Sequence, residues 1–331
     1  MSDFDTKIGG YECLDEAAEL IKSGELVAFP TETVYGLGAN ALSSEAVNKI
    51  FIAKNRPFDN PLIVHVANVA QAKKIAYVSK EAEALFAKFS PGPLTIVLPK
   101  KSCVPKAVTG EIQTVGIRIP NNKLALELIE KSGCPIAAPS ANASKRVSPT
   151  KAIYVYDDMK GRIPLILDGG ECNVGIESTV LSLATEIPTI LRPGGITLEM
   201  LKDVLPMVTN FQGEVAVAEA PGMKYTHYAP LVEECILYDD FDKAINYYDK
   251  KIKLGKKVVI LLTNNYTDRV GNRNYVDMGN DDKVVAHKIF NILREAEKQF
   301  DIILVEKLPN NDVYYSVMNR LNKSTGGKIL Q

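Results

Sequence analysis

Neither a CxxC pair nor a histidine at metal-ligand spacing occurs in this sequence: five cysteines (Cys13, Cys103, Cys134, Cys172, Cys235) stand singly, beside three histidines. A zinc site and a disulfide framework both lack their residues, which leaves reduced, mostly buried thiols as the expectation. Net charge is also nearly missing, since 39 basic against 40 acidic residues leave −1. No overall field steers such a chain to nucleic acid or to an anionic membrane, although a local basic patch stays open. No apolar run approaches the ~20 residues of a membrane span. The opening MSDFDTKIGG has neither the basic nor the apolar section of a signal peptide, so a cytosolic location is expected. Finally, no Ser/His/Asp order or Cys/His pair offers a nucleophile with its base. That absence favours a reaction run by positioning and charge stabilisation, as in nucleotidyl transfer.

What is present is an ordinary globular composition, 46% hydrophobic and 24% charged over 331 residues, enough for two domains with their own cores. Short apolar runs alternate with helical periodicity from about residue 11 to 205, which predicts an α/β fold. Strands are expected in ELVAFP after Gly24, then at 62–66, 95–99, 115–120, 135–140, 164–170, 178–183 and 188–195. Helices are expected at 11–24, 44–54, 68–76, 80–89, 122–132 and 197–205. Because the last three strands follow one another without helices, the sheet should be mixed and not strictly parallel. Residues 208–230 carry Pro221, Gly222 and Pro230 with no sustained period and read as an interdomain linker. From residue 232 a second alternation begins, with strands ECILYD, KVVILLT and DIILVE and helices near 241–253, 283–299 and 311–322. The expected organisation is therefore 1–207, a linker at 208–230, and a smaller α/β domain at 231–331. That second domain has no glycine-rich turn after any strand, so a dinucleotide site is not indicated.

Several polar segments could carry chemistry. In AKNRPFDNPLIVHV, residues 53–66, Lys54 closes a predicted helix, and a cation there also fits the helix dipole with no further role. Arg56 precedes Pro57 and is pushed out of helical geometry, so its fork of donors sits on a pinned loop suited to phosphate or carboxylate. FPTETVYGLGANA, residues 29–41, follows a strand with a polar turn holding Thr31, Glu32, Thr33 and Tyr35; its hydroxyls are placed either to bind a ligand at the strand's end or to cap the turn, with Gly36 and Gly38 supplying positive φ. AAPSANASKRVSPT, residues 137–150, places Ser140, Asn142, Ser144 and Ser148 after an apolar strand, with Lys145 and Arg146 adjacent. Such a loop can offer N–H groups and hydroxyls to phosphate, or simply be a capped turn before a helix at Pro149. Arg118 and Arg192 lie in apolar strands and must be paired or face a polar cavity. His65 inside LIVHV is either a satisfied core imidazole or part of that cavity, and GIESTV adds Ser178 and Thr179.

Taken in order, FPTETVYGLGANA, the KxR of Lys54 and Arg56, NPLIVHV, PGPLTIVLP, VGIRIP, APSANASKRVSPT, GIESTV and ILRPGGI resemble the YrdC-like domain of threonylcarbamoyl-AMP synthases over about residues 15–205. HYAP at 227–230 and the module closing near MNRLNKSTGGK are similar to the two-domain form of that family. The resemblance implies a twisted mixed open sheet with a large concave cavity, and a Rossmann-like second domain. It implies condensation of ATP, L-threonine and bicarbonate or CO2 to threonylcarbamoyl-AMP, with pyrophosphate released and the product used at tRNA position 37. By the same resemblance Thr33, His65, Arg118, Ala138 (through its backbone) and Ser178 would hold threonine. Arg56, Asn60, Thr114, Ser140, Asn142, Ser148 and Arg192 would hold ATP, and Lys54 and Arg56 would stabilise developing charge. Mg2+ is expected with ATP, on the phosphates and with few protein ligands. A downstream tRNA threonylcarbamoyl-transfer complex, and a weak tRNA contact, are expected partners.

Tyr225, His227 and Tyr228 in the linker suggest a lid that keeps water from the labile carbamate. Two alternatives stay open. One is an RNA-binding module using a patch at Lys145 and Arg146, which the near-neutral charge disfavours. The other is a carbamoyl transferase of the hydrogenase-maturation type, whose cysteine-rich zinc modules the single cysteines do not supply.

Overall fold

The computed structural model describes residues 4–58, 60–211 and 228–331. They fall into two compact units, Met1–Ser144 with Ser148–Tyr225, and Lys145–Val147 with Thr226–Gln331.

In the first unit the elements run β1 (Lys7–Gly9), α1 (Leu14–Lys22), β2 (Val27–Phe29), β3 (Gly36–Asn40), α2 (Ser44–Lys54), β4 (Ile63–His65), α3 (Val69–Ile75), α4 (Lys80–Phe89) and β5 (Leu94–Pro99). They continue with α5 (Lys106–Thr109), β6 (Thr114–Arg118), α6 (Lys123–Ser132), β7 (Ile136–Ala137), α7 (Ala152–Met159), β8 (Leu165–Leu167), β9 (Thr179–Ser182), β10 (Thr189–Arg192), α8 (Leu198–Lys202) and β11 (Thr209–Asn210). Helix starts follow local chemistry: Ser43, Asn68, Ser79, Asn122 and Thr197 each accept a backbone N–H three residues on, satisfying a donor the helix cannot.

One sheet orders these strands β1-β8-β2-β3-β7-β4-β6-β5-β9-β10-β11, with parallel and antiparallel pairs mixed. Strand alternation sorts its central part into two faces. Val64, Ile96, Leu98, Ile117 and Leu181 enter the main core beneath the helices. The opposite face of the same strands carries Ile63, Val97 and Val180 as a small apolar cluster, and on it lie His65, Thr95, Gly116 and Arg118. A narrow cleft lined by Pro61, Ile63, Thr95, Thr114, Gly116 and Val180 opens there.

The second unit orders β12 (Glu234–Tyr238), β15 (Ile302–Glu306), β13 (Val258–Leu262) and β14 (Tyr275–Asp277) side by side, all parallel, with α9 (Phe241–Lys253), α10 (Asp282–Ala296) and α11 (Asp312–Ser324) as connections or flanks. Every residue of β13, VVILL, is buried, as a central parallel strand requires.

Three local expectations need correction. Gly36 and Gly38 do not supply positive φ; they are strand residues of β3, small because the Phe29 ring packs on them, and a Cβ on Gly38 would lie 2.8 Å from both Phe29 and Ile136. The strand expected at 135–140 shrinks to Ile136–Ala137, and the helix expected at Pro149 starts at Ala152. Short edge strands at Lys7–Gly9 and Tyr275–Asp277 have too few residues to show a period.

Candidate functional site

Strand register builds the centre of the site. His65 on β4 faces Arg118 on its parallel neighbour β6, and Thr95 on β5 faces Arg118 from the other side. Directly opposed residues share a face, so these side chains are neighbours. Thr95 and Ser178 exchange a hydroxyl hydrogen bond of 2.8 Å. Arg192, closing β10, donates to the Ser178 hydroxyl at 3.1 Å and to its carbonyl at 2.9 Å. Gly194 makes that approach possible, because a Cβ there would stand 2.2 Å from the Thr179 nitrogen. Ser148 donates to Glu177 at 2.6 Å, one residue from Ser178.

The turn after β2 closes one side. The Thr31 hydroxyl accepts the N–H groups of Thr33 (3.1 Å) and Val34 (3.2 Å) and meets the Thr33 hydroxyl at 2.9 Å. Fixed in this way, the turn carries Glu32 to within 2.7 Å of the Arg118 guanidinium, both side chains 5% exposed. That contact is an ion pair without a hydrogen bond: neither Glu32 oxygen has a donor aimed at it, and Arg118 Nε and Nη2 have no acceptor. Arg118 is therefore paired, but inside the molecule and not at the surface. His65 Nδ1 and Asn60 Oδ1 are also buried without a hydrogen-bond partner. Burial first, and the Arg118 cation second, push the His65 imidazole down to about 3, so it is neutral at physiological pH.

The cationic side comes from the exit of α2. Asn55 adopts the left-handed conformation and stops the helix, with φ 51°. Lys54 is only 2% exposed, which excludes a solvated, dipole-only role. Its ammonium donates to the carbonyls of Ser140 and Asn142, while Arg56 reaches the carbonyls of Asn60 and Pro61 at 3.4 Å. The loop bearing Ser140 and Asn142 is itself held by β3 and the residue before it: Leu37 N–H to Pro139, Ala141 N–H to Tyr35 and Tyr35 N–H to Pro149, all within 2.9 Å. Ala138 spends its N–H on Ile63, so any contact its backbone makes with a ligand goes through the carbonyl.

The sequence-predicted residues Thr33, Lys54, Arg56, Asn60, His65, Arg118, Ala138, Asn142, Ser148, Ser178 and Arg192 are all buried in the first unit, with Ser140 and Thr114 half-buried. Thr114 shares the β6 face of Arg118. Sequence reasoning gave no role to Thr95, Glu32 or Glu177; alternation along TIVLP was the one signal that could have placed Thr95. In the linker, Tyr225 and His227 lie outside the described residues. Tyr228 is 4% exposed and stacks on Phe290 in the second unit, ring centroids 5.3 Å apart. Arg146, half of the suggested basic patch, is committed to Glu297. Among the described residues no group of three His, Cys, Asp or Glu could hold a metal, and no helix is long and apolar enough to cross a membrane. Four cysteines are buried and Cys103 is exposed, all free thiols.

A mixed sheet whose open face gathers buried arginines, hydroxyls and polar atoms without hydrogen bonds defines a YrdC-like fold. Comparison with known proteins narrows this. The Sua5/YciO/YrdC family model, described as "Telomere recombination", matches residues 19–194, and the model described as "Threonylcarbamoyl-AMP synthase, C-terminal domain" matches 196–326. The chain belongs to the threonylcarbamoyl-AMP synthase family. It is 44% identical to the threonylcarbamoyl-AMP synthase of Pyrococcus abyssi, covering 95% of this chain and 94% of that one, and 42% identical to that of Bacillus subtilis, covering 96% and 94%. The crystal structure of P. abyssi Sua5 complexed with L-threonine matches with a TM-score of 0.90 at 42% identity, covering 99% of this chain and 98% of that one. E. coli YciO shares the fold of the first unit, with a TM-score of 0.51 at 23% identity, covering 59% and 96%.

Proposed function

We propose that this chain condenses ATP, L-threonine and bicarbonate or CO2 to threonylcarbamoyl-AMP and pyrophosphate. The observation that carries the reading is a buried polar cluster in which Glu32 contacts Arg118 and His65 stands opposite it, all three with polar atoms that have no hydrogen bond. Groups of that kind are costly to bury unless a ligand completes them. In this reading Arg118 takes the threonine carboxylate, with Thr33, His65, the Ala138 carbonyl and Ser178 around the rest of the molecule. Arg56, Asn60, Thr114, Ser140, Asn142, Ser148 and Arg192 hold ATP, whose Mg2+ arrives on the phosphates as part of the substrate.

The chemistry needs no covalent enzyme intermediate. Threonine's amine adds to CO2 and loses a proton, giving a carbamate. A carbamate oxygen then attacks the α-phosphorus in line, a P–O bond forms, and the bond to the β-phosphate oxygen breaks, releasing pyrophosphate. Lys54 and Arg56 offset the negative charge gathered at that centre. The adenylate is then the activated donor for the tRNA threonylcarbamoyl-transfer complex in the cytosol.

Pyrophosphate release tests this directly. It should require ATP, threonine and bicarbonate together, and fall in Lys54→Ala and Arg56→Ala; release that proceeds without threonine overturns the assignment.

A further inference from the structure

We infer that Glu32 recognises the α-amino group of the amino-acid substrate, so that Glu32 and Arg118 together form a receptor for a zwitterion. The inference rests on the function proposed above and adds a residue to that site.

The backbone of Glu32 is fixed from both directions. Thr31 ties the turn that follows it, and the Glu32 carbonyl accepts the Val174 N–H at 2.7 Å. Its side chain therefore has a set destination. There it is 5% exposed, with both oxygens lacking a hydrogen bond, opposite a guanidinium whose Nε and Nη2 lack one too. A buried ion pair without hydrogen bonds is a poor structural device, because Coulomb attraction alone seldom offsets the desolvation of both ions. As half of a binding site the same arrangement makes sense. Arg118 Nε and Nη2 lack hydrogen-bond acceptors and both Glu32 oxygens lack donors, and the two charges sit within one contact distance.

An α-amino acid carries both complements on adjacent atoms. Its carboxylate can take the free edge of Arg118 while its amine gives N–H donors to Glu32. A ligand with a carboxylate alone must compete with Glu32 for the guanidinium and offers Glu32 nothing in return. Discrimination of this kind is strong, since a site built around a hydrogen-bond donor rejects an analogue that leaves its buried acceptor unpaired. The assignment also orients the reaction. After carboxylation one N–H remains for Glu32, while repulsion between the two anions turns the new carbamate oxygens away from Glu32.

Calorimetric titration of the full-length chain with L-threonine, and with the analogue in which a hydroxyl replaces the amine (2,3-dihydroxybutanoate), tests this. Wild type should prefer threonine. Glu32→Gln should weaken threonine about 30-fold or more, as expected for one partner of a buried charge pair, and leave the hydroxy acid unchanged or tighter. ATP affinity should stay close to wild type, measured well below a Tm that falls because Arg118 loses its counter-charge. Equal loss for both ligands, or equal loss for ATP, overturns the inference and makes Glu32 structural. If Glu32→Gln does not fold, the wild-type preference decides alone: equal affinity for threonine and the hydroxy acid overturns it. A wild type that binds ATP but neither acid overturns the threonine assignment itself, a different result from threonine binding that ignores Glu32.

Discussion

His65 and Arg118 stand directly opposite each other on the parallel strands β4 and β6, the imidazole held neutral beside the cation. A charged imidazole directly beside the Arg118 guanidinium would add like-charge repulsion to the cost of burial, so the pairing favours a neutral histidine. In that form the ring has one donor and one acceptor to offer, and Nδ1 is unused by the protein.

Stability should therefore depend on pH through His65. Its folded pKa, about 3, lies below the ordinary unfolded value near 6.5. Above about 6.5 neither state binds the proton and the full stability is present. As pH falls below that value the unfolded chain protonates first, and stability is lost at about 1.4 kcal/mol per unit toward the folded pKa. Urea denaturation at pH 5 and pH 7 should show a smaller difference in His65→Asn than in wild type. Equal differences would mean that the imidazole is not held neutral.

Lys54 should matter to nucleotide chemistry more than to threonine. Its ammonium is buried against the Ser140 and Asn142 carbonyls, so Lys54→Met removes a charge and loosens the loop that presents both residues. A charge-assisted hydrogen bond contributes roughly 1.5–3 kcal/mol, which corresponds to about 10- to 100-fold. We expect a fall of that order in kcat/KM for ATP, read from pyrophosphate release, with threonine Kd changed less than about threefold. A threonine Kd that weakens as much as turnover would place Lys54 in the amino-acid subsite.

Much of this was legible because it rests on local signals. Helical periodicity marked the helices at 44–54 and 122–132, and unbroken apolar runs such as VVILL marked buried strands. The candidate site residues were visible as hydroxyls and amides at strand ends and as cations at a helix exit. What stayed hidden was pairing across strands. Nothing within TIVLP says that Thr95 will stand beside Arg118 on the next strand, or reach Ser178 more than 80 residues further along the chain. Glu32 was visible as a residue, but not its partner. Gly36 and Gly38 misled for a related reason: the Phe29 ring that requires them lies on the next strand.

Gly194 should tolerate no side chain. A Cβ there would come within 2.2 Å of the Thr179 nitrogen and 2.5 Å of the Ser178 carbonyl carbon, and backbone cannot swing aside as a flexible side chain can. Gly194→Ala should cost about 1–3 kcal/mol, visible as a lower Tm, and shift Ser178 from Arg192. An unchanged Tm with unchanged ATP affinity would contradict the packing around that turn.

Thr95→Val tests the hidden part of the site. The substitution keeps the side chain's branched shape and removes only the hydroxyl that meets Ser178 at 2.8 Å. Ser178 also accepts from Arg192, so its rotamer is set from two directions, and losing one should leave it held but less uniquely. A neutral hydrogen bond of this kind contributes about 0.5–1.5 kcal/mol, so affinity should fall roughly two- to tenfold. Because Ser178 lies with Arg118 and His65, the loss should appear in threonine Kd and spare ATP. Loss confined to ATP would reassign Ser178 to the nucleotide, on the side of Arg192 and Ser148. Loss in both would mean that the hydroxyl pair spaces the two subsites, and Thr95→Ser, which restores the hydroxyl without the methyl, should then recover both.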